Sequence, residues 1–184
     1  MGEIDLDPCA DPRRRVPATT HYTPEENGLE QSWTGKVFLN PPFSDSSSWI
    51  KHLSVYVSAE TVTEAIVLVP VMTLSNKSAQ FLMRSIAEGF VLLDRKLSFL
   101  DSNYEDIGEM SAFPFALVYV GDNFHSFINV FDSIGIVCAI KKSPSSHKPV
   151  ACKYCGKIFN AKRSTAKYCS TTCRVEAYRN KTKQ

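Results

Sequence analysis

Short apolar runs alternate with polar, turn-rich stretches along most of this chain, and the spacing within each run predicts its element. Glu3-Ile4-Asp5-Leu6 alternates with a period of two and predicts a short strand, closed by an Asp-Pro turn within Asp7-Pro8-Cys9-Ala10. Residues 11–34 carry Pro12, Pro17, Pro24, Gly28 and three consecutive arginines, Arg13 to Arg15, and predict a long loop with one helical turn after Thr23. Lys36-Val37-Phe38-Leu39 is a short buried strand, which Pro41 and Pro42 stop by fixing φ and removing backbone donors. Trp49, Ile50, Leu53 and Val57 recur at helical spacing. Residues 63–72 form an apolar run, buried on both faces as a strand. Thr73 to Asn76 caps a helix through Phe81, Leu82 and Ile86 that ends near Gly89. Strands follow at 90–93 and 113–120, with a polar excursion over 101–111 between them, then a helix over 124–134 and a last strand over 136–140. Strands alternating with helices predict an open α/β sheet with a late hairpin.

Charge divides this picture in two. Residues 1–140 hold nine Lys and Arg against eighteen Asp and Glu, whereas residues 141–184 hold twelve against one, Glu176. The pattern is an acidic body with a basic arm suited to a polyanion. Residues 141–149 (Lys-Lys-Ser-Pro-Ser-Ser-His-Lys-Pro) have linker composition. The expected domains are therefore 1–140 and 150–184. No apolar run approaches the roughly 18 residues of a membrane span, and the first residues are no signal peptide, so a cytoplasmic protein is expected.

The strand end at Asn40-Pro41-Pro42-Phe43 carries the most specific chemistry of the first domain. At the carboxyl edge of a sheet, where α/β folds place ligands, it offers a carboxamide oxygen (Asn40), a carbonyl with no competing N–H (Pro41) and an aromatic face (Phe43). The amino group of adenine is a poor nucleophile because its lone pair is delocalised into the ring. One acceptor per N–H draws that nitrogen toward sp³ geometry, and a stacked ring holds the base in register. The same four residues also make an ordinary strand-ending turn. Asp7, at the end of the first strand, is placed to accept from a ribose hydroxyl or an ammonium group, or simply to form a turn.

Cys152, Cys155, Cys169 and Cys173 are spaced C-x₂-C-x₁₃-C-x₃-C. The first pair forms a knuckle closed by Gly156, and the second sits i, i+4 at the start of a helix that Ser170 or Thr171 can cap. Four thiolates form a closed structural zinc site, and zinc supplies the folding free energy of so small a module. Lysines and arginines interleave there with Tyr154, Phe159, Tyr168 and Tyr178, which suits phosphate contact with stacking. A solvated basic face or a protein-docking knuckle fits the same composition.

Residues 3–10, 21–43 and 64–71, taken in order, resemble the phage-type DNA N-6-adenine-methyltransferase (Dam-like) family. The resemblance implies a Rossmann-like, S-adenosylmethionine-dependent methyltransferase sheet acting on double-stranded DNA. It assigns Asn40, Pro41, Pro42 and Phe43 to the catalytic loop, and Asp7, Pro8 and Cys9 to the cofactor side. The cysteine tail resembles an appended treble-clef zinc knuckle. The family carries a helical segment ahead of the Asp-Leu-Asp strand; here the chain starts at Met1, so the domain is expected to be N-terminally short. The cytosine amine, the adenine of RNA and the amide of a protein glutamine are alternative substrates for the same loop chemistry. The reading from a different class is a non-catalytic, zinc-dependent nucleic-acid-binding protein with an inactive methyltransferase domain.

Overall fold

A computed structural model of the chain describes residues 2–100, 106–141, 149–160 and 166–181. The chain divides into two compact units, Met1–Lys141 and Lys142–Gln184. The linker composition at 141–149 falls, apart from its two ends, outside the described residues, as do Lys162 and Arg163.

The first unit is built on a seven-stranded sheet: β1 (Ile4–Asp7), β2 (Ala18–His21), β3 (Gly35–Leu39), β4 (Val62–Pro70), β5 (Ala87–Leu93), β8 (Phe115–Val120) and β9 (Gly135–Ala139). Between β5 and β8 the chain makes a separate antiparallel pair, β6 (Ser98–Leu100) and β7 (Asp106–Met110). The spatial order is β2-β1-β3-β4-β8-β5-β9. The first four strands in this order are parallel, whereas β8, β5 and β9 join antiparallel, so the sheet is mixed rather than parallel throughout. It is an α/β arrangement compatible with a methyltransferase fold.

Helix α1 (Ser46–Ser58) makes the crossover from β3 to β4, and α2 (Lys77–Ser85) follows β4. Both pack on one sheet face, where Trp49, Ile50, Leu53, Ala79 and Leu82 meet Leu6, Val37, Leu39, Val67 and Val118. Helix α3 (Phe124–Phe131) packs on the other face through Phe127, against Ile66, Val91, Leu117 and Tyr119. Alternating side chains send Val67 to one face and Ile66 to the other, which is why β4 is apolar from Ala65 to Pro70. A buried polar contact fixes α3: the Tyr119 hydroxyl donates to Glu64 Oε1 at 2.6 Å and accepts the Asn123 N–H at 3.1 Å. Burial, followed by the bond to Glu64, pushes the Tyr119 hydroxyl above its ordinary pKa.

Several boundaries differ from the sequence expectations. The stretch read as a long loop contains β2, whose polar Ala-Thr-Thr-His carries no apolar signal and is a strand because β1 offers it a parallel ladder. The expected strand over 63–72 ends at Pro70 and continues as a 3₁₀ turn over Val71–Ser75. Helix α2 stops at Ser85, and Gly89 lies inside β5, where the Phe124 ring packs closely over it. The polar excursion contains β7. Trp33, in the stretch read as a long loop, is fully buried and donates from Nε1 to the Gly28 carbonyl at 2.8 Å. The arginine run makes surface ion pairs, Arg14 with Glu26 and Arg15 with Asp11. Among the described residues no helix is long and apolar enough to cross a membrane.

The second unit is a small hairpin, β10 (Pro149–Ala151) with β11 (Ile158–Asn160), followed by α4 (Thr171–Lys181).

Candidate functional site

Strand β1 lies between β2 and β3, and all three are parallel. The chain leaves β1 toward β2 on one side and takes up β3 on the other, so the order of strands reverses here. Loops leaving the carboxyl ends of β1 and β3 diverge at such a point and open a crevice between them. With Leu6 paired to Val37, both strands end side by side, at Asp7 and Leu39. Cys9 from the first loop and Asn40, Pro41, Pro42 and Phe43 from the second line one open cleft of about 270 Å³. The structure thus brings together residues from the two stretches singled out in the sequence, with Asn40, half-buried, among those that line this cleft.

The second loop is stiff. Pro41 is buried and anchors it, Pro42 turns it through an Asp45 N–H to Pro42 carbonyl bond of 3.1 Å, and the ring of Phe43 is left 52% exposed at its crest. Beneath that ring lies Phe115, the buried first residue of β8, with centroids 5.6 Å apart.

The first loop is held by Asp7. The carboxylate is 3% exposed and accepts the Cys9 N–H at 3.2 Å, while the Asp7 and Tyr22 main chains join at 3.0 Å. Desolvation pushes Asp7 up to about 6, against the lowering effects of the Cys9 N–H and of His21. A buried carboxylate with so little compensation favours a cationic group nearby. Burial, and then the charge of Asp7, pushes the Cys9 thiol up to about 12, so Cys9 contributes a neutral wall and no thiolate. Pro8 is buried beneath the 3₁₀ turn Gly28–Glu30. A Cβ on Gly28 would collide with the Pro8 carbonyl and touch the Trp49 ring. Gly28 and Phe115 shape the cleft from behind, and no sequence pattern marks either.

In the second unit the four cysteine sulfurs lie within 4.8 Å of one another. The Cys155–Cys169 and Cys169–Cys173 separations are 3.6 and 3.5 Å. A tetrahedral ion with metal–sulfur bonds near 2.3 Å places its sulfurs about 3.8 Å apart, so the quartet needs little adjustment to hold one. The knuckle forms as its sequence predicts: Gly156, at φ +73°, donates to the Cys152 carbonyl. Ser170 Oγ accepts the Cys173 N–H at 3.1 Å and caps α4. Burial opposes ionisation of Cys152, but the N–H groups of Cys155, Cys169 and Tyr154 outweigh it and bring the thiol down to about 6. Those N–H groups prepare Cys152 to bind as thiolate.

A family model described as DNA N-6-adenine-methyltransferase (Dam) matches residues 1–134. A comparison with curated proteins returns no match.

Proposed function

The chain belongs to the DNA N-6-adenine-methyltransferase (Dam) family, and from that membership we propose that it methylates the exocyclic amine of adenine in double-stranded DNA. The observation that supports this reading is the convergence of Cys9 with Asn40, Pro41, Pro42 and Phe43 on one cleft at the strand switch point. S-adenosylmethionine, when bound, supplies a methyl carbon on a positively charged sulfur. The residues of this chain then have a task of positioning and polarisation.

Asn40 Oδ1 and the Pro41 carbonyl each accept one N–H of the target amine, which frees its lone pair toward the methyl carbon. Phe43 stacks on the flipped base, supported by Phe115. Bound S-adenosylmethionine would give its methyl group to this nitrogen and leave as the neutral thioether. The amine then loses a proton to water. On the cofactor side, Asp7 holds the Pro8-Cys9 loop and places a buried negative charge near a cationic ligand. The neutral Cys9 thiol lines the wall without competing for the methyl group. The four cysteines hold zinc in a structural role, with no open position for catalysis. Host-cell cytoplasm and a phage or prophage origin fit this activity.

Transfer of labelled methyl from S-adenosylmethionine to an adenine-containing duplex tests the reading. Asn40→Ala is expected to lower the rate by at least about 100-fold with the fold intact, in line with the loss of one preorganised polar contact. Unchanged transfer in this variant would refute the role given to Asn40. Calorimetry with S-adenosylmethionine checks the cofactor separately: no heat of binding would favour a non-catalytic nucleic-acid-binding protein.

A further inference from the structure

At the head of α4, Lys167, Tyr168, Ser170, Thr171 and Arg174 wall a cleft of about 480 Å³. Both cations are exposed, and among the described residues neither is in an ion pair. Like charges facing one space repel, and an anion between them relieves that repulsion. A guanidinium offers a phosphate two parallel N–H groups, an ammonium adds a point charge, and hydroxyls complete the set. Tyr168 adds an aromatic surface at the same wall.

The charge of the rest of the chain says why such a cleft would be needed. With nine Lys and Arg against eighteen Asp and Glu, residues 1–140 are repelled by a phosphate backbone. Residues 141–184, with twelve against one, reverse that sign. Electrostatic neutralisation supplies most of the sequence-independent affinity of DNA-binding proteins. The methyltransferase unit lacks this source of affinity, and the cysteine unit has it.

We propose that the Lys167–Arg174 cleft grips a backbone phosphate of duplex DNA without sequence choice and tethers the chain to its substrate. The choice of DNA as the polyanion rests on the family's substrate; the phosphate site itself rests on the cleft. A tether raises the local concentration of DNA at the methyltransferase cleft without a base contact of its own.

Fluorescence anisotropy of the full, zinc-loaded chain on labelled duplexes, from about 50 to 200 mM salt, tests it. The Lys167→Ala/Arg174→Ala double variant is expected to bind about 10-fold more weakly, alike on duplexes of unrelated sequence. Its slope of log affinity against log salt should be shallower by about 1, because the two cations share one phosphate that the variant no longer neutralises. Zinc content and circular dichroism should stay unchanged. Lys153→Ala/Lys157→Ala removes the same charge outside the cleft and is expected to keep most of the affinity. An unchanged slope in the first variant, or equal losses in both, would overturn the cleft. So would tight binding to phosphatidylglycerol vesicles with none to duplex. In the methylation assay the cleft variant should raise KM for DNA and leave kcat alone. Wild-type DNA binding with the expected variant losses, but no methyl transfer, would count against the catalytic reading and support the cleft.

Discussion

The half-exposed ring of Phe43 leans on the buried ring of Phe115, their planes inclined at 42°. Phe115 is paired with Pro70 at the start of β8, so a core residue of the antiparallel half supports the crest of a loop from the parallel half. The two rings should therefore separate under mutation. Phe43→Ala exposes little new core and should cost less than about 1 kcal/mol of stability, yet slow methyl transfer by about 10- to 100-fold through lost stacking. Phe115→Ala should cost about 3–5 kcal/mol and slow transfer as well. Thermal melts and single-turnover transfer rates check both.

Asp7 gives a pH signature. Its folded-state pKa of about 6 lies above the ordinary 3.8. Between those values the folded chain keeps a proton that the unfolded chain has lost, so stability falls as pH rises from about 4 to 6 and stays lowered above that. The full effect is at most about 3 kcal/mol. Asp7→Asn keeps an acceptor for the Cys9 N–H, flattens this slope and raises the melting temperature at neutral pH. Its affinity for S-adenosylmethionine should nonetheless fall by about 10-fold. Melts from pH 4 to 8 and calorimetry measure the two effects; a slope as steep as the wild type's would show that another group sets it.

Gly28→Ala forces a methyl group into the Pro8 carbonyl, a main-chain neighbour that cannot swing aside. A loss of about 1–3 kcal/mol is expected from overpacking, with weakened cofactor binding because the Pro8-Cys9 loop is displaced. A wild-type melting temperature in this variant would mean that the turn over Pro8 yields freely.

Removal of metal should act on one unit only. A hairpin and one helix bury too little to fold unaided. A strong chelator should abolish the ellipticity of α4 and leave the melting of the first unit where it was. Zinc, but not magnesium, should restore the lost signal, because thiolates select the softer ion. Gly156→Ala strains a left-handed position by about 1 kcal/mol and should weaken metal binding without abolishing it. Circular dichroism and metal analysis follow both.

What could be read from the sequence was local in its physics. Consecutive prolines end a strand wherever it runs, so the stop after Leu39 was visible in four letters. Trp49, Ile50 and Leu53 at helical spacing gave α1, and β4, β8, α3 and β9 were each found close to their true bounds. The cysteine spacing fixes ligand geometry within 22 residues, and the quartet closes as that spacing requires.

Tertiary structure decided everything that depends on a distant partner. Strand β2 is polar and exists by pairing with β1, because a strand's hydrogen bonds are completed by residues elsewhere in the chain. The same holds for β7, and for β8, β5 and β9 it is the antiparallel direction, not the strands themselves, that their neighbours decide. Nothing in the letters joins Cys9 to Asn40, 31 residues on; the parallel pairing of β1 with β3 does, by ending both strands at one edge. Gly28 and Phe115 gained their places behind the cleft in the same way, through packing that no periodicity encodes.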